Sequence, residues 1–336
     1  MMSQRIEFID LAKGICISLV VLLHVFGELS GDIIRIMNLF RMPLYFVLSG
    51  LFFKTYDGLL PFVKKKTNKL LIPFFLTFIF VVVPTTILLN KYEGETMTLL
   101  NLFFGGAGKL NLGIDGAIWF LLCLFTVNIY FYLIFLLTKR NVVGITILSI
   151  ICGVSGYLMS RYGFSLPMWM DSALTAMPFF LFGYLLRCYS DVLYGSLSKQ
   201  DLILCMVSFV VTISVFMYDR WLDRYAIAYG DNSFDIPFLS IYIGGISGTY
   251  FILMISKCIR QMPIISYIGR YSIVVLLTHL LFLFAIRNIL YQMGIPQHGI
   301  VLNVLVFVLI IILSVPTISL CIRYLPYWFA QKDLWK

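Results

Sequence analysis

Hydrophobic positions occur along the chain in long continuous runs that short polar segments separate. A helix needs about 20 apolar residues to cross a bilayer. Transmembrane β-strands would instead alternate apolar and polar positions over short segments, and these runs do not. We therefore predict an all-α, polytopic integral membrane protein. Its ten predicted spans cover about 8–28, 34–53, 70–90 (broken by Pro84), 116–138, 142–160, 172–189, 201–218, 236–256, 268–290 and 300–324.

Composition agrees with this pattern, since 61% of the residues are hydrophobic and 12% are charged. Soluble domains carry about 25% charged residues. No low-complexity linker separates the runs, so we interpret residues 1–336 as a single transmembrane domain. The first run lacks a signal-peptide cleavage pattern, and we expect it to remain as an uncleaved span.

Charge predicts the orientation of the spans. With both termini in the cytoplasm, 17 of the 25 lysines and arginines fall on the cytoplasmic side, in agreement with the positive-inside rule. The net charge of +9 is interpreted in the same way, so no nucleic-acid partner is expected. Basic loops are also expected to contact membrane lipids.

The first span carries four ionisable residues, Asp10, Lys13, His24 and Glu28. Eleven residues separate Lys13 from His24, which gives about 1100° of helical rotation and places both side chains on one face, about 16 Å apart. Asp10 and Glu28 lie one turn beyond them, at or near the same face. Ionisable groups inside a membrane are costly, so this polar stripe is a candidate functional site.

His24 has two interpretations. A single histidine in a helix is often a packed polar residue. A histidine one turn before Glu28 and on the face of Lys13 instead favours a general base, because a neighbouring carboxylate fixes the imidazole tautomer and raises its basicity.

The second span has a polar stripe of its own, in which Arg41, Tyr45 and Ser49 recur at four-residue spacing. Ser49 can serve helix packing, because small residues let spans approach closely. Arg41 needs a carboxylate, a phosphate or a watery cavity. Glu28 and Asp32 are its candidate partners.

Two further groups of residues leave alternatives open. The lysines at 64–69 fit either anionic lipid headgroups or a cofactor with several phosphates. His279 fits either buried packing or a functional site. A metal site is not expected, because the histidines and acids lack ligand spacing, and no phosphate-binding or nucleotide motif is present.

Several segments resemble the acyltransferase-3 family of membrane acetyltransferases, in particular its fucose 4-O-acetylase-like branch. IDLAKGICISLVVLLH is similar to the family's first span, FRMPLYFVLSGLFF to its second, and KKKTNKLLIPFF to its basic motif, with lysines where arginine is more frequent. AIWFLLCLF, FFLFGYLLR and IGRYSIVVLLTHLLF resemble later spans. The matching residues are Asp10, Lys13, Gly14, His24, Arg41, Pro43, Phe46, Ser49, Gly50, Lys66, Lys69, Pro73, Trp119, Phe120 and His279.

The resemblance implies an enzyme of the bacterial inner membrane. It would transfer an acetyl group from cytoplasmic acetyl-CoA to a hydroxyl of an envelope glycan or glycolipid, without a permanently bound cofactor. His24 is then the expected base or acetyl carrier with Glu28, and Lys13, oriented by Asp10, meets the donor together with Lys66 and Lys69. Candidates for binding the acceptor or the oxyanion are Arg41, Tyr45, Ser49, Trp119 and His279.

Two rival functions use the same polar residues. A transporter or flippase of a lipid-linked sugar would use the stripe as a polar path, and it predicts an inverted repeat that the sequence does not show. A sensory membrane protein would bind a ligand at the polar loop 219–235.

Overall fold

The computed structural model describes residues 6–27, 31–93, 112, 116–224, 226–297 and 299–335, with the side chains of 89–93 excepted. Of the residues that the structure describes, 79% are helical. In the described part, ten helices are long and apolar enough to cross a membrane, which confirms the predicted fold class. They are α1 Glu7–Phe26, α2 Asp32–Leu51, α3 Leu59–Leu88, α4 Gly116–Leu137, α5 Val142–Tyr162, α6 Pro167–Tyr189, α7 Lys199–Trp221, α8 Phe238–Ile259, α10 Ser272–Gln292 and α11 Ile300–Tyr324.

Two short elements connect these spans. Helix α9, Pro263–Arg270, precedes α10, and an antiparallel pair of strands, β1 Ile227–Ala228 and β2 Ser233–Phe234, lies between α7 and α8. Because the number of spans is even, α1 begins and α11 ends at one end of the bundle, which we call the termini side. The opposite end, with the two strands, is the hairpin side. That the termini side is cytoplasmic stays a prediction.

The third span begins earlier than predicted. α3 starts at Leu59, so residues 64–69 belong to a helix and not to a loop. Two π-helical turns, Thr67–Leu71 and Phe78–Val82, widen it. Proline has no N–H to donate and crowds the preceding turn, and the second π-turn ends two residues before Pro84. The helix therefore continues through Pro84, and the predicted break is wrong.

The predicted ninth span, 268–290, also differs from the structure. Tyr271, with φ −117° and ψ 32°, interrupts the helix and separates α9 from α10. The loop after α7 lies further along the chain than predicted, because α7 continues to Trp221 and α8 begins at Phe238.

Glycines place α9 directly against α1. A Cβ atom on Gly14 would overlap the carbonyl oxygen of Ile265, and one on Gly269 would overlap that of Asp10. Gly50 of α2 lies equally close to the backbone of α6. These contacts fix the rotation of α1 and α2, and with it the direction in which their polar residues point.

The segment after α11 returns to α3. The side-chain amide of Asn68 donates to the Trp335 carbonyl and accepts from the Trp335 N–H, both at 2.8 Å. Asp333 pairs with Lys65 at 2.8 Å and with Lys69 at 3.4 Å. The hydrogen bond from Lys65 lowers the pKa of Asp333. The C-terminal segment thus covers part of the lysine cluster.

Substituting Gly14 by alanine is predicted to destabilise the protein. The added methyl group meets backbone that cannot rotate away, and overpacking of this kind costs about 1–3 kcal/mol. Thermal unfolding in detergent measures the change. The control is Gly116→Ala, because a Cβ atom at Gly116 meets no atom of the described residues within 4 Å. Equal midpoints for the two variants would contradict the close approach.

Acid is predicted to release the C-terminal segment. Because the pKa of Asp333 is lower in the docked state, its ion pairs stabilise docking above the usual aspartate pKa of about 4. This contribution is lost as the pH falls through the lowered value. The protection of the amides at 329–332, measured relative to their slower intrinsic hydrogen exchange in acid, should therefore fall on acidification in the native protein. Asp333→Asn should exchange faster already at neutral pH, and protection equal to that of the native protein would show that the ion pairs do not dock the segment.

Candidate active site

Helices α1 and α2 contact each other through their polar residues. The Cys16 thiol donates to the carbonyl of Arg41 at 2.7 Å, and the Tyr45 hydroxyl donates to the carbonyl of Lys13 at 3.3 Å. Both bonds join the middle of one helix to the middle of the other. They place the polar stripes of the two helices beside a common space.

That space is a cavity of about 620 Å³ inside the bundle. Helices α1, α2, α3, α4 and α10 contribute to it, together with the hairpin loop, which is residues 227–234 with strands β1 and β2. Its wall is largely apolar, so the polar groups are few and specific, as is typical of ligand sites. The polar and aromatic residues that the argument uses are Lys13, His24, Asn38, Arg41, Tyr45, Ser49, Lys66, Trp119, Tyr229, Asp231 and Ser272.

The cavity continues towards the termini side. A second pocket, of about 500 Å³, shares Lys13 and Phe52 with it. The Lys13 ammonium lies 5.9 Å from the centre of the Phe52 ring. Lys54 and Arg187 also line the second pocket, together with the carboxylates of Asp10 and Asp191, so its cationic side chains outnumber its acidic ones along the path to Lys13.

His24 lines the cavity about 16 Å along α1 from Lys13. The ring of His279 lies behind it, with ring centres 5.2 Å apart. The Nδ1 atom of His279 is 2.9 Å from the Val275 carbonyl and 3.0 Å from that of Leu276. Since carbonyls accept hydrogen bonds, Nδ1 carries the proton. Nε2 is buried and has no hydrogen-bond partner among the described residues.

Arg41 presents a guanidinium group to the cavity, and its Nε is buried without a hydrogen-bond partner in the described part of the chain. The suggested pairing with Asp32 is wrong, because Asp32 pairs with Arg220 and, at 3.7 Å, with Arg35. Glu28, the other suggested partner and the suggested helper of His24, lies outside the described residues.

The remaining candidates divide between the cavity and other places. Ser49 lines the cavity and accepts from the Asn128 amide at 3.1 Å. Lys66 and Trp119 also line the cavity. Asp10 lines the second pocket and pairs with Arg270 at 3.8 Å. Lys69 faces the C-terminal segment, where it pairs with Asp333.

Sequence reasoning missed two parts of the wall. Asn38 lies one turn before Arg41 on α2, and its side-chain oxygen is buried without a partner among the described residues. Helical spacing alone could have added it to the polar stripe. The hairpin loop gave no such signal. Its Tyr229 donates to the Leu39 carbonyl at 3.3 Å, and burial raises the pKa of Tyr229, so its hydroxyl keeps its proton.

The described residues contain no cluster of three or more histidines, cysteines and acids that could bind a metal ion. A family model described as an acyltransferase domain matches residues 6–322 of the chain. No curated protein and no solved structure matches it.

Proposed function

The chain belongs to the acyltransferase-3 family and is a membrane acyltransferase, and from this premise we propose that it transfers an acetyl group from acetyl-CoA to a hydroxyl group of a cell-envelope carbohydrate. The observation that carries this proposal is the single cavity that joins Lys13 and Lys66 to His24 and Arg41. The cavity has the cationic groups of Lys13 and Lys66 at one end and a potential base, His24, further inside. The two substrates would meet within it.

The donor enters from the termini side in this proposal, and that side faces the cytoplasm. Positive groups of the second pocket and of the cavity attract the phosphates of CoA, and Lys13 belongs to both spaces. We place Lys66 against a phosphate. Lys69 takes an outer position in the same binding segment, because Asp333 already neutralises part of its charge.

The reaction follows from the groups beyond Lys13. A ring nitrogen of His24 removes the proton from the acceptor hydroxyl, and the oxygen attacks the thioester carbonyl carbon. The carbon–sulfur bond then breaks, and the CoA thiolate takes up the proton from His24. Transfer through an acetyl-His24 intermediate would need the same groups, with the acetyl carried between two such steps.

The other candidates support these steps. Arg41 is proposed to stabilise the charge that develops on the carbonyl oxygen, because its Nε lacks a protein partner among the described residues. His279, fixed by its carbonyl contacts, positions the ring of His24. Tyr45 and Ser49 are proposed to line the path of the acyl group, and Asp10 and Glu28 to orient Lys13 and His24.

Substituting His24 by alanine is predicted to lower acetyl transfer by about 10²–10⁴-fold, the usual contribution of a general base. The assay follows label from radiolabelled acetyl-CoA into base-labile ester on an envelope glycan fraction. Ser18→Ala is the matched control on the same helix, because Ser18 bonds to the Gly14 carbonyl and does not line the cavity. Near-full transfer by a normally inserted His24→Ala protein would exclude His24 as the base.

Substituting Lys66 by alanine is predicted to weaken CoA binding by roughly 10–100-fold, as expected for a lost charged hydrogen bond of about 1.5–3 kcal/mol. Isothermal titration with CoA measures the affinity. Lys64→Ala is the control, because Lys64 lies over the Trp335 ring and outside the cavity wall. Lys69→Ala should have the smaller effect. An unchanged affinity for CoA in Lys66→Ala would reject this role and support the alternative, in which the lysines only contact anionic lipid headgroups.

A further inference from the structure

The hairpin loop forms a rigid wall at one end of the cavity. Residues 227–231 line the cavity. Two residue pairs between β1 and β2 close the loop, and the buried side chain of Asn232 anchors it. That side chain accepts from the Thr175 hydroxyl at 2.7 Å and donates to the Gly156 carbonyl at 3.0 Å. A wall that is fixed in this way can hold recognition groups in a constant position.

A buried polar atom beside the cavity favours a ligand that donates hydrogen bonds. Asn38 lines the cavity, and its side-chain oxygen has no hydrogen-bond partner within the described segments. Arg41, one turn further along α2, is assigned above to the acyl carbonyl oxygen, so Asn38 is the acceptor that a second ligand can satisfy. A hydroxyl group can donate to it, so a hydroxyl-rich ligand fits this position.

An aromatic ring and a carboxylate line the same cavity. The Trp119 indole is half-buried and packs edge-on against Phe120, with ring centres 6.0 Å apart. Gly230 approaches the indole so closely that a Cβ atom there would lie 3.1 Å from it. The next residue, Asp231, is exposed and lines the cavity. Indole covers the apolar face of a sugar ring, and a carboxylate accepts hydrogen bonds from its hydroxyls.

We propose that Asn38, Trp119 and Asp231 form a subsite that binds a sugar ring of the acceptor and directs one hydroxyl towards His24. This inference rests on the proposed function and assigns its acceptor side to the hairpin loop. Trp119 binds the ring face, and Asn38 and Asp231 bind hydroxyls at its rim. The acceptor therefore enters from the hairpin side.

A competing occupant is the adenine of the donor, which can also stack on an indole. The charges argue against it. Towards the termini side, the cationic residues Lys13, Lys54 and Arg187 outnumber the carboxylates of the same pocket, which are Asp10 and Asp191. Asp231 lies at the other end, where its carboxylate would repel the phosphates of CoA. The donor thus binds at the termini side, and the Trp119 indole is free to bind the acceptor.

The test measures acceptor kinetics and donor binding in the same variants. The acceptor is an envelope glycan fraction from which mild base has removed the esters, and the donor is saturating radiolabelled acetyl-CoA. Asp231→Asn and Asn38→Ala should each raise the KM for the glycan about 5–30-fold, the range of a lost hydrogen bond. Trp119→Ala should raise it at least as much, whereas Trp119→Phe keeps an aromatic face and should lose less. The Kd for CoA should not change in any of them.

The control is Asp223→Asn, an exposed carboxylate between α7 and β1 that does not line the cavity. Its KM should equal that of the native protein. Melting temperatures identify variants that fail to fold, and the exposed Asp231→Asn provides a test that does not depend on core packing.

Three results would overturn the inference. An unchanged glycan KM in Asp231→Asn and in folded Trp119→Ala would show that the hairpin wall binds no acceptor. A weaker CoA affinity in Trp119→Ala with an unchanged glycan KM would assign the indole to the donor. An active protein with either result would still be an acyltransferase. Failure of the native protein to label the glycan would instead reject the proposed function, and the subsite with it.

Discussion

Ionisable groups cannot remain in contact with lipid, and the arrangement of the bundle depends on this constraint. α1 carries Asp10, Lys13 and His24, and it can cross the membrane only if other helices cover that face. α9 approaches α1 at Gly14, where any side chain would overlap its backbone. α2 contributes the complementary polar face through Arg41. The cavity between these helices is thus where the polar residues of both spans can lie away from lipid.

The same constraint explains how far the sequence could predict the structure. Ten apolar runs gave the spans because length and hydropathy determine whether a helix can cross. Helical spacing placed Lys13 and His24 on one face, and both line the cavity. Spacing within one helix carries no information about its neighbours, so the pairing of Asp32 with Arg220 was missed. The hairpin wall was missed for the same reason, because loop residues have no periodicity that indicates what they contact.

Lys66 and Lys69 look equivalent in the sequence but have different surroundings in the structure. Lys66 and Lys69 belong to one basic motif, three residues apart. The π-helical turn that begins at Thr67 and the returning C-terminal segment give them different surroundings. Lys66 lines the cavity, and Lys69 pairs with Asp333. The resemblance to the family identified the motif, and contacts within this chain determine which lysine can reach a ligand in the cavity.

The central claim is that one cavity joins a CoA donor at Lys13 and Lys66 to the acyl acceptor chemistry at His24. A cryo-electron microscopy map of the protein with a non-hydrolysable thioether analogue of acetyl-CoA tests it most directly. The account predicts phosphate density beside Lys13 and Lys66 and the acyl carbonyl beside His24 and Arg41. Analogue bound on another surface, or in the cavity with its acyl group away from His24, would contradict the account.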